Sequence, residues 1–402
     1  MEELRLQRLV VSNQDEASSS IITVFLGLYN AVTYLESIER QLDQQLFADF
    51  RLLVVDNNSS DNTWVQITPW VEKFGGRITL VRNPVNIGGA GSIELNLDLI
   101  STPWLTFFHQ DDVYKSNHLS RLLLGITECD EKVVAISTQM GSLNKAGNRQ
   151  GTPLRAQQKM VKKDSKSVFL LNIGAHAVPW PATAFRTGAY LENASPWHST
   201  TFTDSEIILK MLCKGNVLNL GCETMYYREN PMSESHTVNP DEALVGAAVA
   251  LVRVIGSDTF KAFAVSLAPD ERPTFRKEIL GLIKSRLRGY DHLALVNILL
   301  EEVLSHAWVY SDVDSLSEIS FYYSKYNSIF TPALMDRLIA FESSLPTEEK
   351  SSLKLEIGGI KEEIKLSKIK KFYFKYGWII PFALRKKILG LISHRRDLDP
   401  RT

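Results

Sequence analysis

Arg51-Leu52-Leu53-Val54-Val55-Asp56-Asn57-Asn58-Ser59-Ser60-Asp61-Asn62-Thr63 is the stretch on which the reading of this chain turns. An aliphatic, partly β-branched run gives way at one step to a string of carboxylates, amides and hydroxyls. The first half is the pattern of a strand buried on both faces. The second half can cap a following helix and can also hydrogen-bond a ligand. Taken alone, a capped polar turn accounts for it equally well.

Working outward, the same grammar repeats. Apolar runs at 21–26, 77–81, 104–108, 133–137, 168–171 and 225–227 read as further strands. Helical periodicity occupies 31–46, 63–74, 92–100 and 118–128. Strands separated by helices predict βαβ units and an α/β fold with a largely parallel sheet. Ligands of such sheets bind beyond the carboxyl ends of the strands, near a reversal of strand order. The polar stretch 141–166 lacks periodicity and is expected to be a long loop or flap.

The strand at 104–108 runs into His109-Gln110-Asp111-Asp112. Adjacent carboxylates behind a buried strand are costly unless positive charge stands beside them. A divalent cation that bridges substrate phosphates answers this, and oxygen ligation favours Mg²⁺ or Mn²⁺. A helix cap is the plainer alternative. Asn86-Ile87-Gly88-Gly89-Ala90-Gly91 opens a helix, where glycines let the backbone approach an anion. The dinucleotide pattern G-x-G-x-x-G is not met, and no G-K-[ST] loop is present, which excludes a P-loop NTPase. Thr203-Asp204-Ser205-Glu206 opens another helix, with Asp204 either a cap or a general base.

In their order and placement these motifs resemble family 2 glycosyltransferases. The resemblance rests on Leu28-Tyr29-Asn30, Val54 to Ser59, Asn86 to Gly91, Gln110-Asp111-Asp112 and Asp204, and spans about 20–235. It implies a GT-A fold, a mixed nucleotide-sugar-binding sheet of Rossmann-like type, and an inverting transfer. By position it implies that Tyr29, Asp56 and Asn57 line the base pocket and that Asp111 lies near the ribose. Asp112, with Asp111, would hold the divalent cation, and Asp204 would be the catalytic base. Asn86, Gly88, Gly89 and Arg228 would contact the donor. A related subgroup, with rhamnosyl- and galactofuranosyl-transferases, reads Asp-Gln-Asp-Asp where this chain has His109 first. Tyr227 to Ser235 is similar to the family's Arg-x-His-Pro-x-Ser-x-Ser segment, with Asn230 for the His, and His236 is a candidate metal ligand. The implied partners are a UDP- or dTDP-sugar donor and a saccharide acceptor, lipid-linked, as in surface polysaccharide assembly. A non-catalytic nucleotide-sugar-binding or assembly subunit is the alternative.

Past residue 240 the pattern is helical only. The expected organisation is a flexible tail at 1–18, the catalytic domain at 19–238, a helical domain at 239–362 and a basic amphipathic tail at 363–402. The chain's 45 Lys and Arg nearly cancel its 46 Asp and Glu, but unevenly. Residues 364–396 hold ten basic and no acidic residues, leaving a net charge of −11 elsewhere. Aromatic and aliphatic residues interleaved with Lys and Arg suit an anionic membrane surface. Docking of the tail on the acidic body is the competing explanation, and no nucleic-acid recognition fold accompanies it. Three cysteines without C-x-x-C spacing fit neither a zinc cluster nor a disulfide framework. With no signal-like N-terminus and no apolar run of about 18 residues, the expected location is cytoplasmic, peripheral on the inner face of the cell membrane.

Overall fold

The apolar runs pair into one mixed, eleven-stranded sheet. The computed structural model describes residues 2–12, 20–151, 160–175, 177–194 and 203–230, with 250, 254, 257–272, 274–275 and 278–279. In chain order come α1 (Glu2–Gln7), β1 (Leu9–Ser12), β2 (Ile22–Leu28), α2 (Val32–Asp43) and β3 (Arg51–Asp56). Next are α3 (Thr63–Ile67), α4 (Trp70–Phe74), β4 (Ile78–Arg82), α5 (Gly88–Leu95), β5 (Trp104–His109) and β6 (Val113–Tyr114). Then follow α6 (His118–Glu128), β7 (Val133–Leu143), β8 (Arg149–Gln150), β9 (Val161–Lys163) and α7 (Ser165–Ala175). β10 (Thr183–Arg186), α8 (Thr187–Asn193), α9 (Thr203–Leu212) and β11 (Asn216–Arg228) complete the sheet and its cover. The chain divides into two compact units, Met1–Ser266 and Leu267–Thr402.

Strand order is β1-β4-β3-β2-β5-β10-β7-β11-β6, with β8 on β7 and β9 on β11. β4, β3, β2 and β5 are mutually parallel. The chain steps outward from β2 through β3 to β4, then returns to β5 on the other flank of β2. That reversal puts the loops after β2, β3 and β5 side by side, where a ligand crevice is expected. β10 lies antiparallel between β5 and β7, and β11 runs parallel to β7. The α/β architecture with a mixed sheet expected from the sequence is thus present.

Strand alternation sends Phe107 and Phe108 to opposite faces. Phe108 joins the core with Leu35, Ile38 and Leu42 of α2. Phe107 stacks on Trp180 at a centroid separation of 4.6 Å, within a cluster that includes Phe185 and Tyr190. Packed aromatics of this kind contribute about 0.5–1.5 kcal/mol per pair beyond the area they bury.

Four expectations are corrected. Residues 168–171 are not a strand but lie within α7, whose start Asp164 caps by accepting from the Ser167 amide at 2.9 Å. A short apolar run cannot distinguish the two by periodicity; here Val168, Phe169, Asn172 and Ile173 are buried at helical spacing. β10 was not foreseen, being four residues long and close behind Pro179 and Pro181. Residues 2–12 are not a loose tail: β1 pairs with β4 from Leu9↔Arg82 to Ser12↔Thr79. Arg8 clasps Asp98 through Nη1 at 2.8 Å and Nη2 at 2.6 Å and caps the Leu95 carbonyl at 2.9 Å. The expected flap at 141–166 opens within β7 and carries β8 and β9; of the rest, 152–159 lie outside the described residues. So do nearly all of the expected helical domain, apart from a helix at Asp258–Ser266, and the whole basic tail. No helix among the described residues is long and apolar enough to cross a membrane.

His118 closes a buried hydroxyl chain under β6. Thr138 Oγ1 donates to the Ala182 carbonyl at 3.1 Å, so its contact with Thr224 Oγ1 at 2.6 Å must receive that hydroxyl's proton. Thr224 Oγ1 then accepts from His118 Nδ1 at 2.7 Å, which fixes the Nδ1–H tautomer. Burial pushes the imidazole down to about 3. Between that value and about 6.5 the unfolded chain binds the proton and the folded one does not. This contribution to stability is therefore complete above about 6.5 and falls, up to tenfold in the folding constant per unit, as the pH drops. Ring ¹⁵N shifts should report a neutral Nδ1–H imidazole at pH 5; an imidazolium there would refute the assignment.

Candidate functional site

Behind β2 and β3, the two turns hold each other through side chains. Asn30 and Asn58 adopt left-handed backbone, φ 49° and 59°, which Asn tolerates better than most residues. The Asn30 amide donates to Ser59 Oγ at 2.9 Å, and the Ser60 amide returns a bond to Asn30 Oδ1 at 2.9 Å. Gln110, behind β5, grips the same turn: its Oε1 accepts from the Tyr29 amide at 2.9 Å, and its Nε2 donates to the Tyr29 carbonyl at 3.2 Å. Tyr29 is left 43% exposed, with its ring able to stack on a planar ligand.

Asp56 is fully buried at the end of β3. Its Oδ1 accepts from the Ser59 amide at 3.1 Å, while Oδ2 faces Arg82 Nε at 3.4 Å without a hydrogen bond. Asn57, also buried, has every hydrogen-bonding position filled. Its Nδ2 donates to Asn86 Oδ1 at 2.8 Å and to the Gly88 carbonyl at 3.1 Å. Its Oδ1 accepts from Asn83 Nδ2 at 3.0 Å and from the Ile87 amide at 3.3 Å. Asn83 continues to Ser92 Oγ and accepts from Asn96 Nδ2, each at 3.1 Å. The network fixes the loop into α5, where Gly88 turns at φ 74° and Asn86 Oδ1 accepts from its amide. Asn57 thus shapes the Asn86, Gly88 and Gly89 loop from beneath.

The acidic turn is tied to the end of β11. β6 pairs with β11 at Met225↔Tyr114 and Tyr226↔Val113, which carries Arg228 to the turn. Asp112 is buried, with Oδ1 accepting from the Arg228 amide at 3.0 Å. Asp112 Oδ2 takes no hydrogen bond, and His109 Nδ1 stands 3.5 Å from it. Asp111 receives Arg228 Nε on its carbonyl at 3.0 Å and Asn230 Nδ2 on its carboxylate at 2.8 Å. Desolvation opposes a proton on His109, yet the carboxylates of Asp112, Asp111 and Asp204 outweigh it and raise its pKa. Asp204 lies in the first turn of α9, half-buried, with Oδ1 accepting from the Ser205 amide at 2.7 Å. Its charge acts on both His109 and the buried Tyr190.

Tyr29, Asp56, Asn57, Asn86, Gly88, Gly89, Asp111, Asp112 and Arg228 therefore sit on the turns behind β2 to β5 or at the end of β11, and Asp204 on the first turn of α9. His236 and 231–235 lie outside the described residues, as do His176 and His198. Sequence reasoning missed Gln110 as a clamp, and it missed the Asn83–Ser92–Asn96 chain. Asn83 follows β4 as Asn57 follows β3, and that position was the available signal. Among the described residues no three His, Cys, Asp or Glu converge as a metal cage. The unbonded Oδ2 of buried Asp112 nevertheless fits one cation whose other ligands come from a bound phosphate.

An Asp at position 57 would face Asn86 Oδ1 and the Gly88 carbonyl with no proton to give. Asn57→Asp should lose about 2 kcal/mol or more of stability, the cost of unsatisfied buried groups. Urea denaturation checks this, and an unchanged midpoint would remove the network from the account.

Residues 22–191 match the family model described as glycosyl transferase family 2. An Escherichia coli UDP-Glc:alpha-D-GlcNAc-diphosphoundecaprenol beta-1,3-glucosyltransferase is 29% identical over 25% of this chain and 38% of its own. A teichoic acid poly(glycerol phosphate) polymerase of Staphylococcus epidermidis is 24% identical over 29% of this chain and 16% of its own. The chain spans under two fifths of the length of the curated relatives it matches. Among solved structures, S. aureus TarS 1-349 in complex with UDP-GlcNAc aligns at 16% identity and a TM-score of 0.46, covering 76% of this chain and 91% of that one. The segment that matches this family model carries β2 through α8, and with them the turns behind β2, β3 and β5.

Proposed function

We propose that the protein is an inverting glycosyltransferase that moves a sugar from a nucleoside diphosphate donor to a saccharide hydroxyl. The observation that carries this is the placement of Asp111 and Asp112 beside the Tyr29 and Asn86–Gly88 loops, in a segment that matches the family 2 model, with the charge of Asp204 acting on His109 in the same turn. Tyr29 and Asp56 bound the base pocket, and Asp111 lies toward the ribose. Asp204 accepts the proton of the acceptor hydroxyl, whose oxygen attacks the anomeric carbon opposite the diphosphate. The glycosidic C–O bond to the diphosphate breaks with its electron pair on the leaving group. Arg228, held on Asp111 through Nε, adds positive charge on the leaving-group side. Asp112, with Asp111, would hold Mg²⁺ or Mn²⁺, and such a cation offsets the charge of the departing diphosphate. His236 remains a candidate further ligand.

The names of two relatives, one acting on a diphosphoundecaprenol-linked sugar and one a teichoic acid polymerase, support a lipid-linked acceptor in surface polysaccharide synthesis. The basic 363–402 segment then serves to hold the enzyme peripherally at the anionic inner face of the membrane, where such an acceptor lies.

Release of nucleoside diphosphate from UDP- and dTDP-sugars, with and without acceptor, tests the reading. Asp204→Asn should lower turnover by about 10²-fold or more while leaving donor binding nearly intact. Near-normal transfer by a folded variant would remove Asp204 as the base. Removal of divalent cations by chelation should abolish turnover, and activity that persists would remove the role of Asp112. Donor binding without turnover under every condition would favour the non-catalytic subunit.

A further inference from the structure

His109 opens the acidic turn at the end of β5, and its surroundings give it a specific task. The imidazole is 42% exposed, while the Asp112 side chain opposite is 1% exposed. The two approach through Nδ1 and Oδ2 at 3.5 Å, and Oδ2 takes no hydrogen bond. A charge-assisted N–H···O contact would close to about 2.7–2.9 Å, so the pair is looser than a short hydrogen bond. Two ligands of one ion can stand at this spacing. Metal–ligand bonds of about 2.1 Å to each atom give a ligand–metal–ligand angle of about 110°. Asp112 cannot readily swing away, because its Oδ1 is held by the Arg228 amide at 3.0 Å. His109 is held from the backbone side, its amide donating to the Tyr114 hydroxyl at 3.0 Å.

We infer that His109 Nδ1 and Asp112 Oδ2 together form a mixed nitrogen–oxygen half-site, which selects a transition-metal cation such as Mn²⁺ over Mg²⁺. This rests on the cation site of the proposed function and adds to it a nitrogen ligand among the described residues. Imidazole favours later divalent metals, whereas Mg²⁺ is served by carboxylates, phosphates and water. The imidazole binds as the neutral form with its proton on Nε2, and donor diphosphate oxygens fill the open positions.

The test uses the full-length chain with Mn²⁺ and UDP, read by electron spin echo envelope modulation. Wild type should show ¹⁴N coupling to Mn²⁺ that changes to the ¹⁵N pattern when histidine is ¹⁵N-labelled. In His109→Asn, folded by circular dichroism, the coupling should vanish. Mn²⁺ affinity should also fall about tenfold or more in that variant, with a smaller loss for Mg²⁺. Mn²⁺ bound with unchanged affinity and no histidine coupling in wild type would overturn the inference and leave the Asp112 cation site standing. No Mn²⁺ binding by wild type, or binding indifferent to Asp112→Asn, would overturn both.

Discussion

A carboxylate buried at the end of an apolar strand is the constraint around which this molecule is arranged. Asp112 is almost entirely removed from water, and an uncompensated charge there costs several kcal/mol. One of its oxygens is answered by a backbone amide that belongs to β11, a strand more than a hundred residues away in sequence. That amide is in place only because the two residues of β6 pair antiparallel with β11 and the aromatic stack of Phe108 on Tyr114 holds β6 down, with ring centroids 3.7 Å apart. The Tyr114 hydroxyl then fixes the His109 backbone. The antiparallel insertion of β10 also follows, since it spaces β5 from the β7–β11 pair whose end must reach the acidic turn.

The opposite flank of the site solves the same burial problem with neutral groups. Asn57, Asn83, Asn86 and Asn96 pass donors to acceptors without any net charge, and the α5 entry loop is rigid because every amide position of Asn57 is occupied. Fully satisfied polar networks specify one geometry, whereas half-satisfied ones destabilise. Negative charge is thereby concentrated on one side, at Asp111, Asp112 and Asp204, and kept away from the glycine turn that faces an anionic ligand. The buried Asp56 is the exception, and Arg82 stands against it.

What was legible in the sequence was whatever depends on local pattern. The parallel strands β2 to β5 are continuous apolar runs with a polar break, and their site residues follow because ligands gather at strand ends. Less legible was anything that depends on a partner distant in sequence. The four residues of β10 carry too little periodicity to be distinguished, and 168–171 reads equally as strand or helix until Asp164 caps it. β1 is a strand only because β4 offers an open edge and Arg5 and Arg8 find the carbonyls at the end of α5. Gln110 was hidden for a different reason. Between a histidine and two acids it reads as a spacer, and its bidentate grip on Tyr29 requires β2 and β5 to be neighbours.

The identities of Asn57 and His109 are set in different ways. Asn57 is compelled by the fold: it must donate twice and accept twice where it stands, and no carboxylate does that at neutral pH. Nothing in the packing compels His109. Its ring is nearly half exposed, its backbone bond to Tyr114 is open to any residue, and an acid would fit the same space. An acid there would, however, add a third carboxylate to Asp111 and Asp112, with Asp204 close behind. A histidine replaces that repulsion with a group that is attracted when protonated and donates a lone pair when neutral. Histidine at 109 therefore gives the acidic turn a group that the carboxylates of Asp112 and Asp111 attract, in place of a third acid.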